Sequence, residues 1–122
     1  MTKLDNEYRN LRHKIDEIEE QQMKNRRIKR KLSDLNQEMS HCLHQTMRDI
    51  DQILNESIGS RYAYKLNNEY NSLIQDRNRI LGKIDDQLQI TESTIKHTET
   101  KIDNLYQDKN KIFQEMKEKG EL

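Results

Sequence analysis

The sequence predicts an all-α fold, two long antiparallel helices closing into a coiled-coil-like helical hairpin. Three observations carry that prediction. Of 122 residues only 31% are hydrophobic while 36% are charged, which leaves too little apolar surface for a thick globular core. Proline is absent and glycine occurs three times, so no position forbids helix and few weaken it. Apolar residues recur three and four apart along most of the chain, the spacing of one helix face. The lack of Trp and Val and the single Phe argue against sheets.

The first helix is expected over about 3–57. Its apolar row is Leu4, Tyr8, Leu11, Ile15 and Ile18, then, after a gap, Leu32, Met39, Leu43 and Ile50. Thr2 followed by Asp5 reads as a capping box at its start. A turn is expected at about 58–60, where Gly59 can adopt the left-handed conformation that closes a helix and Ser60 can cap the next one. The second helix, over about 61–118, repeats the row with Leu66, Tyr70, Leu73, Ile80, Ile84, Leu88, Ile95, Ile102, Leu105, Ile112 and Met116. A short turn between equal halves folds the two helices back on each other, each roughly 80 Å long.

Doubling back at the turn sets Leu4 opposite Ile112 and Phe113, Leu11 opposite Leu105 and Tyr106, and Ile15 opposite Ile102. Leu32 then meets Ile84, and Ile50 meets Leu66. Polar Gln22, Asn25 and Lys29 interrupt the first row and fall beside Ile95, Thr91 and Leu88, where they cost stability and specify register. The four-residue steps Ile80–Ile84–Leu88, next to Gly82, predict a bend or a loosened segment near 80–90.

Some apolar residues fall outside these rows: Ile28, Leu35, Cys42, Met47 and Leu54 on the first helix, Ile74 and Leu81 on the second. They follow either from drift of the seam, since 3.6 does not divide seven, or from a docking face for another helical chain. The docking face is the reading preferred, because a two-helix hairpin buries little and gains from a partner. Tyr62 and Tyr64, beside the turn, join that partner-binding set.

Chemistry is hard to assemble. His41 and His44 flank Cys42, but the hairpin offers them at most Asp76 as a further ligand, so no metal or other cofactor is expected. No base and orienting group accompany Cys42, and no phosphate loop, HExxH, CxxC, nucleophile elbow or calcium loop occurs, so an enzyme is not expected. The basic run Lys24, Arg26, Arg27, Lys29, Arg30, Lys31 could take a phosphate or nucleic acid. Acidic Asp85, Asp86 and Glu92 are expected to pair with it across the hairpin, and the formal net charge is zero, so a nucleic-acid partner is not expected. One cysteine suits a reducing compartment. With no signal peptide and no apolar membrane span in view, the expectation is a cytoplasmic chain free of membrane, with export beside a partner left open.

Asn-Leu-Arg within Arg9–Arg12, Gln-Gln-Met-Lys-Asn-Arg-Arg at Gln21–Arg27 and Gln-Asp-Arg-Asn-Arg at Gln75–Arg79 accompany the proline-free hairpin pattern. In these features the chain resembles the LXG-associated α-helical accessory (targeting) proteins of bacterial type VII secretion, small WXG-like hairpins. That resemblance implies a targeting chaperone binding the helical N-terminal domain of an LXG toxin, together with a second small helical accessory protein. Two departures shape the expectation. A WXG-type turn has Trp two residues before the glycine, where this chain has Ser57. The export motif, an aromatic with an acid four residues on, fails at Tyr106 with Asn110 and at Phe113 with Lys117. The chain is therefore expected to be the companion of the signal-bearing subunit. The alternatives are a self-assembling coiled coil, two copies forming a four-helix bundle, and a phosphate or nucleic-acid binder through Lys24–Lys31.

Overall fold

The structure, a computed structural model, describes residues 2–120. Helix α1 spans Lys3–Glu56 and helix α2 spans Arg61–Glu118, and they pack against each other as a helical hairpin. The Thr2 hydroxyl accepts from the Asp5 amide at 3.1 Å, satisfying one of the open donors at the start of α1. Asp5 in the same turn suits the positive end of the helix. At the other end the Ser57 amide donates to the Ile53 carbonyl, and Gly59 takes φ 86°, a conformation open to glycine at little cost. The Ala63 amide donates to the Ser60 carbonyl and opens α2. Gly120, at φ 70°, ends α2 in the same way as Gly59 ends α1.

The described residues divide into two compact units, one formed by residues 2–29 with 91–120 and one by residues 30–90. In the first, Ile15 (4% exposed), Ile95 and Met116 are buried, flanked by half-buried Leu4, Leu11, Ile18, Ile102, Leu105 and Ile112. Tyr8 and Phe113 meet with ring centroids 6.3 Å apart. Between these apolar layers lies a buried polar one. Gln22 donates to the Ile95 carbonyl at 2.9 Å, and Asn25 donates to the Gln22 side-chain oxygen and, at 3.5 Å, to the Thr98 hydroxyl. Thr98 in turn donates to the Thr94 carbonyl at 2.8 Å. Among the described residues no buried side-chain nitrogen or oxygen is left without a partner, so the layer carries no unpaid desolvation.

The contacts lie farther along α2 than the turn alone predicts. The Tyr8 ring meets that of Phe113 at a tilt of 41°, with Lys109, the position the turn sets opposite Tyr8, 5.9 Å from its centroid, and Asn25 bonds Thr98 where Thr91 was expected. Tyr106, expected opposite Leu11, reaches Glu19. Side chains of both helices lean toward their own N-termini, so in an antiparallel pair tips meet beyond the level of their Cα atoms. The offset grows with side-chain length. Gln22 meets Ile95 as expected because its acceptor there is a backbone oxygen, free of that lean.

In the unit of residues 30–90, only Ile84 (7% exposed) is buried. Leu32, Met39, Leu43, Met47, Ile50 and Leu54 on α1 are half-buried, as are Leu66, Tyr70, Leu73, Ile74, Ile80, Leu81 and Leu88 on α2. Helix α2 continues unbroken through 80–90, where the four-residue steps predicted a bend or loosening; Gly82 is helical with open space around it. Two adjacent positions, Ile80 and Leu81, share the seam there and absorb the change of spacing.

Candidate helix-docking surface

Within residues 30–90 the seam of α1 steps from Leu43 to Met47, Ile50 and Leu54. Met47 and Leu54, expected outside the row, therefore belong to it, and Ile74 and Leu81 sit beside Leu73 and Ile80 in the same half-buried condition. Drift of the seam accounts for these four. Met47 is also held across the hairpin, its sulfur 3.3 Å from Arg77 Nη1. Leu35 (43% exposed) and Cys42 do turn outward, seven residues apart on one face of α1.

Ile53 turns outward as well, at 46% exposure, a position the sequence pattern assigned to neither row. The signal was present: Ile53 and Leu54 compete for one seam position, and the step of four from Ile50 selects Leu54. At the tip, Ile58 (80%), Tyr62 (66%) and Tyr64 (77%) are the most exposed large apolar side chains of the unit. Neither tyrosine closes the end of the hairpin. Ile28, the remaining residue of the predicted set, is exposed but belongs to the other unit.

The outward face of α1 is also acidic. Glu38, Asp49 and Glu56, three or four residues from Leu35, Cys42 or Ile53, are exposed, against one exposed lysine at the same spacing, Lys31, four before Leu35. Gln45 donates to Asp49 and Gln52 to Glu56, both at 3.4 Å, and these neutral amides leave the carboxylate charge in place. The facing stretch of α2 is nearly balanced and partly self-paired, with Arg79 2.8 Å from Asp76.

Other candidate chemistry separates in space. Among the described residues no three His, Cys, Asp or Glu side chains gather as a metal site requires, which leaves His41 and His44 on the helix surface. In the basic run, Arg26 pairs with Glu99 at 2.7 Å and Lys29 with Glu92 at 3.7 Å. Glu92 was expected there; Glu99 takes the place foreseen for Asp85 and Asp86, in keeping with the shifted register. Among the described residues Lys24, Arg27, Arg30 and Lys31 make no ion pair. Among the described residues no helix is long and apolar enough to cross a membrane.

The Tyr106 phenol, in the unit that holds the N-terminal part of α1, is perturbed. Tyr106 donates to Glu19 at 2.5 Å, and that hydrogen bond, with smaller contributions from burial and the charges of Glu19 and Asp16, raises the phenol above its ordinary 10.0. Because the folded value is raised, the contact's stabilisation is fully present below the ordinary tyrosine value and disappears as pH climbs through the raised one. Absorbance titration of tyrosinate should therefore show Tyr106 ionising above 10.0, and Glu19→Gln should return it toward that value.

Comparison of the chain with known protein families, characterised proteins and solved structures finds no match.

Proposed function

We propose that the chain is a non-enzymatic adaptor, a targeting chaperone that lays helices of a partner protein along its turn-proximal unit. The observation that carries this reading is the contrast in coverage. Residues 30–90 contain thirteen or so half-covered apolar side chains around a single buried one, Ile84, with Leu35, Cys42, Ile53, Ile58, Tyr62 and Tyr64 turned to solvent. Two helices bury one stripe each, and a half-covered seam gains stability when further helices complete the layer.

The partner suggested by the resemblance is the helical N-terminal domain of an LXG toxin, bound together with a second small helical accessory protein for type VII secretion. A long helical domain has the shape this surface calls for: its own apolar stripe would extend the row from Leu35 toward Ile58. Co-expression with such a toxin domain, followed by size exclusion, tests the reading. A complex that elutes as one species, and that Leu35→Glu with Ile53→Glu disperses, is the expected result. Separate elution of two folded proteins overturns it. A second copy of the chain in the toxin's place, giving a homodimeric four-helix bundle, would appear as a dimer of the isolated protein.

A further inference from the structure

The outward face of α1 alternates apolar and acidic residues. Leu35 has Glu38 three positions on; Cys42 has the same Glu38 four positions back; Ile53 has Asp49 four back and Glu56 three on. At those spacings each carboxylate stands beside the apolar side chain on the helix surface. From this interleaving we infer that the docking face selects a helix whose apolar stripe is bordered by lysine or arginine, and discriminates against a second copy of this chain. The inference rests on the adaptor reading and names the chemistry of the partner.

Charge complementarity decides between occupants. Two copies joined through this face would bring Glu38, Asp49 and Glu56 of each toward the same residues of the other, with Lys31, four positions before Leu35, the one lysine or arginine at the same spacing from this stripe. Like charges drawn together as water is excluded oppose association, whereas a basic border pairs with Glu38, Asp49 and Glu56. The hydrogen bonds from Gln45 and Gln52 position Asp49 and Glu56 while leaving their charge available to a cation.

The test uses two designed amphipathic helical peptides with the same leucine stripe, one bordered by lysine and one by glutamate. Their binding to the full chain is read by fluorescence anisotropy at low salt. The lysine-bordered peptide should bind at least about tenfold more tightly, and the advantage should shrink as salt is added. In Glu38→Lys, Asp49→Lys, Glu56→Lys, all surface changes with helicity checked by circular dichroism, the preference should reverse. Equal affinity for both peptides would leave the docking surface standing and overturn its charge selectivity. Binding of neither would overturn the docking surface itself. A native dimer in sedimentation, dispersed by Leu35→Glu, would identify a second copy as the occupant and likewise overturn the inference.

Discussion

Ile15→Ala is expected to destabilise the hairpin by about 3 kcal/mol, whereas Leu43→Ala costs about 1 kcal/mol. Both lie in the seam of α1, and both lose aliphatic carbon. The difference comes from their surroundings. Ile15 is 4% exposed, so its truncation leaves a cavity and forfeits contacts on all sides. Leu43 is half-exposed in the unit of residues 30–90, so water already touches it and little cavity forms. Urea unfolding of the two variants checks the contrast. A two-helix protein has small stability to lose, so Ile15→Ala should show a substantial unfolded population in buffer. Equal costs at the two positions would mean that the units are equally packed.

The second large effect concerns the polar layer. Asn25→Ala removes the donor to the Gln22 side-chain oxygen and to Thr98, and the acceptor that holds the Gln21 amide at 3.2 Å. The Gln22 oxygen then stays buried without that donor, at a cost of about 1–3 kcal/mol. Replacing the layer as a whole, by Gln22→Leu, Asn25→Leu and Thr98→Val, should have the opposite sign, because no polar atom is left stranded and apolar burial rises. The raised midpoint should come with lost uniqueness: without the bond from Gln22 to the Ile95 carbonyl, neighbouring registers become similar in energy. Broadened or doubled amide resonances in the triple variant, beside sharp ones in the native chain, would show that loss. A single sharp set would assign register to the apolar residues and the turn alone.

The architecture was legible because its determinants are local. Thr2, Gly59, the absence of proline and the three-four spacing each act over a few residues, and they place α1 and α2 within a residue of where the helices lie. Gly120 carries the same closing signal as Gly59 at the far end of α2. The facing partners were less legible. Tyr106 with Glu19 and Arg26 with Glu99 depend on how far long side chains lean along two antiparallel helices, which spacing in one helix does not encode.

The apolar residues predicted to lie off the seam divide along the same line. Leu35, Cys42, Tyr62 and Tyr64 turn outward as their positions predict. Met47, Leu54, Ile74 and Leu81 fall on the seam because spacing near the turn shifts by one residue, and Ile53 is exposed for the same reason. One residue of drift moves a side chain by about 100° around a helix, enough to exchange seam for surface.

Amide hydrogen exchange of the isolated chain measures the uneven coverage of the two units residue by residue. Amides of residues 32–54 and 66–88 should exchange faster, opening at lower free energy than those of residues 11–25 and 95–116. Addition of a helical partner should slow exchange in the former set first. Uniform slow protection from residue 11 to residue 116 in the protein alone would contradict the claim that its turn-proximal unit awaits further helices.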